Sequence, residues 1–382
     1  MPRLQAELSG RLDRAFEDAL ARGHFSGAGM IVSVRDGFTL SKTWGCERRG
    51  GDAIEAATRF DLASLTKPLV TVPLVMSGVG RGIIGLDDPL PRFFGDAVPP
   101  EKRGITIRHI LSHCSGLAPY RQFFFDLVDM APEDRREAVV SMVLNDPPDA
   151  APGSAAAYSD LGYIILGAIL ERVFGDRLDR LAREVLFSPL GLDELHFCPL
   201  KTEGGPEVLP VRVPDFPEDG VRYAAAEFCS WRKRLLVGEV SDENAWSLGG
   251  VAGHAGLFGT ARGVFKMISF MRDIYRGELE HPLFSQDLAR LFWTRAGAPA
   301  GSTWALGFDT PRLVESSAGR YFSQKSVGHL GFTGTSFWLD LERDVLVVLL
   351  ANRVHPSREN EAFKKFRPIV HDIVMEALEY AL

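Results

Sequence analysis

DLASLTKPLV, residues 61–70, holds one serine, Ser64, and one lysine, Lys67, three positions later. On a helix, residues three apart share a face, so Lys67 can reach the Ser64 hydroxyl. A serine at a helix start also has unpaired backbone N–H groups and the positive end of the helix dipole beside it. Those features suit the oxyanion that forms when a hydroxyl attacks a carbonyl. An ordinary N-cap serine fits the same pattern. The rest of the chain has to separate the two.

The chain has 382 residues, 46% hydrophobic and 24% charged, enough for a large core and two lobes. Its formal net charge of -7 offers no domain-wide positive field, which speaks against nucleic acid as a partner. The short basic run SWRKRLL, 230–236, reads as a solvated helix face. Four cysteines, at 46, 114, 198 and 229, are scattered with no CxxC pair, which predicts reduced thiols rather than a disulfide framework or metal site. Near the N-terminus, Leu4, Leu8, Leu12, Phe16 and Ala19 recur at helical spacing among charges. That predicts an amphipathic surface helix, not a secretory signal. No apolar run is long enough for a membrane span. With residue 1 as the native start, the expectation is a cytoplasmic protein.

Two strand-like runs flank Asp36-Gly37, a strong hairpin signal. A helix is predicted from near Ser64; Pro68 fits its first turn, whereas Pro73 should bend or interrupt it. From about 105 to 290 the pattern is mainly helical. TIRHILSHCSGL predicts a short helix ending at Gly116, and DLGYIILGAILERVFG a central buried one. Residues 199–224 read as a long loop. Strand-like runs return in SVGHLGFTGTSFWLD and DVLVVLLANRV, and an amphipathic helix over roughly 361–381 closes the chain. The expected fold class is therefore α/β in the α+β sense. Both chain ends, 1–88 and 300–382, would build one antiparallel sheet flanked by helices. A mainly helical lobe, 89–299, would be inserted into it, with a substrate cleft between the lobes.

Two further motifs bear on that cleft. PGSAAAYSDLGYIILG places Tyr158 just before the buried helix, with Ser159 or Asp160 as its cap. A tyrosine held against an ammonium loses its proton more easily and can act as a base. GHLGFTGTSFW puts His329 and Gly331 on a strand opening a hairpin. Glycine there permits close approach of a ligand or backbone, and the N–H of Phe332 can serve as an oxyanion donor.

Together, FDLASLTKPLVT, GLDDPL, TIRHILSHCSGL, PGSAAAYSDLGYIILG and GHLGFTGTSFWLD make the chain resemble the serine β-lactamase/penicillin-binding protein superfamily, in its class C β-lactamase-like, esterase-like branch. The resemblance spans nearly the whole chain and implies a β-lactamase/transpeptidase-like fold. It implies Ser64 as nucleophile, Lys67 as its activator, and Tyr158 as the tyrosine of a Tyr-x-Asn element. His329 then begins the Lys/His-Thr-Gly strand motif, and the N–H groups of Ser64 and Phe332 form the oxyanion hole. Such chemistry needs no cofactor and no metal.

Two positions depart from the family pattern. Asp160 replaces the usual Asn; an ionised carboxylate cannot donate to an acyl oxygen, and it favours a charged Lys67. That leads to Tyr158 as the proton acceptor. Leu330 replaces Thr, removing a hydroxyl that would help hold a substrate carboxylate. The expected substrate is therefore a less acidic carboxylic ester or amide, cleaved through an acyl-enzyme. The alternatives are a β-lactamase or D-amino acid peptidase, and a non-catalytic binding protein on the same scaffold. In DENAWSLGGVAGHAGLFGT, His254 and Trp246 are candidates to line the cleft, with structural packing the favoured reading for Trp246 and Asp242 and Glu243 as caps or orienters.

Overall fold

The computed structural model describes residues 2–34, 37–200, 220–297 and 299–379. Most of the long loop expected over 199–224, and Asp36 of the expected hairpin turn, lie outside the described residues. The first helix, α1 (Pro2–Ala21), leads into β1 (Gly27–Val34) and β2 (Phe38–Gly45), which pair antiparallel from Val34↔Phe38 to Gly27↔Gly45. The chain end supplies β3 (Val327–Leu330), β4 (Ser336–Asp340) and β5 (Val345–Ala351). The order across the five-stranded sheet is β2-β1-β5-β4-β3, every pair antiparallel. The two chain ends thus share one sheet through the β1–β5 pairing.

Strand period explains how that sheet holds two cores. Successive side chains of β5 point to opposite faces. Leu346, Val348 and Leu350 join the large core of the helical part. Val345, Val347, Leu349 and Ala351 join a second core with Leu8, Leu12 and Phe16 of α1 and with the closing helix (Ala362–Glu379). A strand buried on both faces reads as an unbroken apolar run, which VLVVLLA is. Of the spaced residues in α1, Leu8, Leu12, Phe16 and Ala19 are fully buried and Leu4 only partly.

The Ser64 stretch is helical from Ala63 to Gly80, but not uniformly. A 3-10 turn (Ala63–Leu65) passes into a π turn (Lys67–Thr71) and then into α2 (Val72–Gly80). Pro73 does not interrupt the helix. The winding changes just ahead of it, so it sits in the first turn of α2, where no intrahelical N–H is needed. The central buried helix is α3 (Asp160–Phe174), with Ser159 as its N-cap, accepting from Gly162 N–H at 3.2 Å. A later helix, α4 (Ala261–Arg276), falls inside the predicted 89–299 insert yet packs on β1 and β5. The closing helix is α5.

Two local expectations are corrected, and a third is met. The TIRHILSHCSGL helix covers only Ile107–Leu111; it stops short of Gly116 because His113 turns to φ 53°. SWRKRLL is a turn and a short strand, not a solvated helix face, because Arg232 and Arg234 both fold back onto Glu239, at 3.0 and 2.8 Å. Trp246 takes the favoured packing role: it lies against Trp231, ring centroids 5.1 Å apart, and does not line the cleft. The four cysteines are free thiols. Among the described residues, no helix is long and apolar enough to cross a membrane.

Gly253 marks a tight backbone-to-backbone junction near Ser64. A Cβ there would lie 2.1 Å from Tyr163 O on α3, while Gly253 O accepts from Thr71 Oγ1 at 2.6 Å. Gly253→Ala is expected to cost roughly 1–3 kcal/mol of stability, as overpacking against backbone does. Urea unfolding checks this; an unchanged midpoint contradicts it.

Candidate active site

Four chain segments meet at a cleft with a volume of about 700 Å³, lined by Ser64, Tyr158, Asp160, His254, His329, Gly331 and Phe332 among others. Lys67 lies beneath it with no solvent exposure. The sequence-derived candidates are therefore brought together.

Ser64 is held by a stitched turn. Leu62 N–H donates to Leu257 O, and Thr66 Oγ1 donates to Ala63 O at 2.7 Å. Ala63 adopts φ 47°, unfavourable for a residue with a Cβ. Asp61 holds it there: its Oδ1 accepts from Ala63 N–H at 2.8 Å and its Oδ2 from Ser241 N–H at 2.7 Å. Ser64 N–H lies ahead of the first closed hydrogen bond, Leu65 N–H to Leu62 O.

The β3–β4 hairpin is tied to the same turn. Thr333 Oγ1 donates to Asp61 O at 2.7 Å and Thr335 Oγ1 to Leu62 O at 3.0 Å. Gly331 permits this approach, since a Cβ there would fall 2.7 Å from Leu62 O and 2.0 Å from Thr335 Oγ1. Arg353 fixes the next residue, with Nε donating to Phe332 O at 2.6 Å. Phe332 N–H and Ser64 N–H thus belong to two segments locked together beside one cleft.

Lys67 Nζ has three acceptors: Asp160 Oδ1 at 2.6 Å, Ser64 Oγ at 3.1 Å and His254 O at 3.2 Å. The carboxylate and the carbonyl can only accept. Ser64 Oγ can also donate. A neutral amine would spend its two N–H groups on Asp160 and His254 and turn its lone pair to the serine proton. Burial pulls the Lys67 pKa below its ordinary value, while the Asp160 and Asp242 carboxylates work to raise it.

The tyrosine departs from expectation. Burial, followed by the Asp160 charge, pushes the Tyr158 phenol well above its ordinary value, and the nearby Ser64 hydroxyl only partly offsets this. The ammonium expected to ease its ionisation is 4.8 Å from the ring centroid, but it is shared with a carboxylate. Tyr158 therefore holds its proton at neutral pH. Its ring is packed among His113 at 4.5 Å, Trp304 at 5.6 Å and His329 at 6.1 Å. Both histidines are neutral: burial, then the Lys67 charge, lowers His329 to about 3 and His113 well below its usual range. His329 Nδ1 donates to Leu330 O at 2.9 Å, which fixes the tautomer.

Asp242 behaves as the expected cap, accepting from Ala245 N–H at 2.7 Å. It also contacts His254 Nε2 at 2.8 Å. Burial raises its carboxyl, but His254, Ala245 N–H and Lys67 outweigh that and bring it to about 2. Sequence reasoning missed Asp61, His113, Trp304 and Arg353. Asp61 and His113 stand inside the quoted motifs and were detectable by position; Trp304 and Arg353 carry no local signal.

Chain comparisons agree with this assembly. The family model described as Beta-lactamase matches residues 12–366. The "N-acetylmuramyl-L-alanine amidase" of Bacillus subtilis (strain 168) is 30% identical over 368 residues, 90% of this chain and 81% of its own. A "Putative D-alanyl-D-alanine carboxypeptidase" of Salmonella agona (strain SL483) is 29% identical over 369 residues, 92% of this chain and 84% of its own. Among solved structures, EstCE1, "a hydrolase with promiscuous acyltransferase activity", superposes with a TM-score of 0.71 at 20% identity, covering 97% of this chain and 99% of that one. The octameric penicillin-binding protein homologue from Pyrococcus abyssi gives 0.69 at 20% identity, covering 98% and 77%. These two structural likenesses bear on the fold, which is β-lactamase/transpeptidase-like. The chain belongs to the beta-lactamase family. It is a serine hydrolase of that family.

Asp61 yields a pH prediction. Burial raises its carboxyl from 3.8 to about 7, against the N–H donors of Ser241 and Ala63 and with help from Glu227 and Asp242. Between those values the folded chain keeps a proton that the unfolded chain has lost, so the stability this group contributes declines as pH rises. Compared with Asp61→Asn, the wild type should lose stability from about pH 4.5 to about pH 7.5. Urea midpoints at both values check this; a constant gap, or one moving toward the wild type, contradicts it.

Proposed function

We propose that the chain cleaves a carboxylic ester or amide through an acyl-enzyme on Ser64. The observation that carries this is the Lys67 Nζ, 3.1 Å from Ser64 Oγ, with its other contacts fixed on Asp160 and His254 O. Neutral Lys67 takes the serine proton as Ser64 attacks the carbonyl carbon. The backbone N–H groups of Ser64 and Phe332 stabilise the oxyanion. As the carbon–leaving-group bond breaks, Tyr158 gives its proton to the departing oxygen or nitrogen, and the Lys67 ammonium replaces it. Water then attacks the ester on Ser64, its proton returning through the same pair to regenerate the serine. This assignment exchanges the roles that the sequence suggested for Lys67 and Tyr158, because burial favours the neutral form of each.

The cleft is the proposed meeting place of the 1–88 plus 300–382 part and the 89–299 part, with α4 as the element of the latter that packs on the sheet. An amide substrate is the second reading, supported by the names of the carboxypeptidase and amidase relatives. A lactam is the third, supported by the family match.

A fluorophosphonate, read by intact mass, should label the wild type and leave Ser64→Ala unmodified; equal labelling of both contradicts the nucleophile. A panel of p-nitrophenyl esters, nitrocefin and D-alanyl amides then ranks the substrate classes. Asp160→Asn should move the acidic limb of kcat/KM to lower pH by about one unit, since it removes the charge that raises the Lys67 pKa. A limb that stays in place or moves upward contradicts Lys67 as the base.

A further inference from the structure

Glu227 is a buried acid, 2% exposed, that takes no part in the proton transfers proposed above and does not itself line the cleft. Its carboxylate accepts from Ser241 Oγ, 3.1 Å from each oxygen, and lies 2.5 Å from the Arg358 guanidinium. A second acid, Glu243, lies 2.7 Å from the same guanidinium. Burial works to lower the Arg358 pKa, but Glu227 and Glu243 outweigh it and raise it, so the guanidinium is charged. Taking a carboxylate out of water is costly, and both partners of this one lead to the proposed oxyanion hole.

One partner leads to Ser64. Ser241 holds Glu227 through its hydroxyl and Asp61 through its N–H, which donates to Oδ2 at 2.7 Å. The other oxygen of Asp61 accepts from Ala63 N–H at 2.8 Å and so fixes the residue before the nucleophile. The second partner leads to Phe332. The Arg358 guanidinium is 5.8 Å from the centre of the Phe332 ring, and that of Arg353 is 4.6 Å from it. Arg353 ties the two together, with Nε donating to Phe332 O at 2.6 Å and Nη1 to Arg358 O at 3.3 Å. Thr333 Oγ1, donating to Asp61 O at 2.7 Å, closes the ring. The Ser64 and Phe332 N–H groups thus stand on two arcs of one closed circuit, and Glu227 joins the arcs.

We propose that Glu227 is a positioning residue of the oxyanion hole: through Ser241 and Arg358 it sets the Ser64 N–H against the Phe332 N–H. This rests on the hydrolase reading above and adds to it a residue that touches no substrate. Oxyanion donors act by being aimed before the charge develops, so a displaced donor costs rate more than it costs substrate binding. Glu227→Gln keeps the shape of the side chain and removes the charge that Arg358 and Ser241 Oγ share. Ser241→Ala removes the hydroxyl alone and keeps the N–H that Asp61 accepts.

The test is a double-mutant cycle of Glu227→Gln, Ser241→Ala and the two combined. The substrate is p-nitrophenyl butyrate; the probe is an alkyl trifluoromethyl ketone, whose adduct with a serine carries an oxyanion. Each single variant should lower kcat about tenfold, short of the roughly hundredfold that follows loss of a donor outright, with KM within about twofold of the wild type. The ketone should bind each variant about tenfold more weakly, as a transition-state mimic does when the donors lose their aim. The combined variant should be no worse than either single one, since both cut the same link. A change in KM without one in kcat, an unchanged ketone affinity, or losses that multiply in the combined variant each overturn the proposal. Ser241→Ala gives up one hydroxyl, so its kcat and ketone affinity decide the matter even where Glu227→Gln folds poorly. Absence of Ser64-dependent hydrolysis counts against the hydrolase reading, while ketone affinity, which needs no turnover, still decides the positioning role. Absence of both hydrolysis and adduct overturns both.

Discussion

The buried nitrogen of Lys67 is the constraint on which the site depends. An amine without solvent must find its acceptors in the protein, and each of the three comes from a different place in the chain: Ser64 on the same helical stretch, Asp160 at the start of α3, and His254 O in the glycine-rich segment. Breaking a buried pair by removing one partner is far costlier than losing an exposed one. The fold therefore cannot relax these segments independently. Gly253, pressed against α3, and Gly331, pressed against Leu62, are the places where backbone had to come close for the nitrogen to be satisfied.

The same burial sets the chemistry. Lys67 and Tyr158 are both pushed toward their neutral forms. A neutral amine can accept a proton and a neutral phenol can give one, so this environment is compatible with the base and acid roles proposed for Lys67 and Tyr158. Asp160 limits how far the lysine falls. Asp242 adds a second negative charge at longer range, itself held ionised by His254 and Ala245 N–H.

Much of this was legible in the sequence where one local rule sufficed. The β1–β2 hairpin followed from strand-like runs around a turn dipeptide, and the last strands from apolar runs too short for helices. The spacing of Ser64 and Lys67, and the place of Tyr158 before a buried helix, were readable as motifs. What failed depended on three-dimensional surroundings. Tyr158 ionisation turns on how deeply the ring is packed by His113, Trp304 and His329, which come from three distant segments. Arg232 and Arg234 looked solvated because Glu239, their shared partner, is reached only through a chain reversal. Pro73 misled because helix winding can change from π to α at one residue.

The most direct measurement is the ionisation of Lys67 itself, followed by NMR of the side-chain nitrogen in selectively labelled protein across the alkaline range. The account requires its midpoint to fall below the ordinary lysine value of 10.5 and to fall further when the Asp160 carboxylate is removed. A midpoint at or above 10.5, unmoved by that change, would mean that the nitrogen beside Ser64 is a permanent cation and cannot be the base.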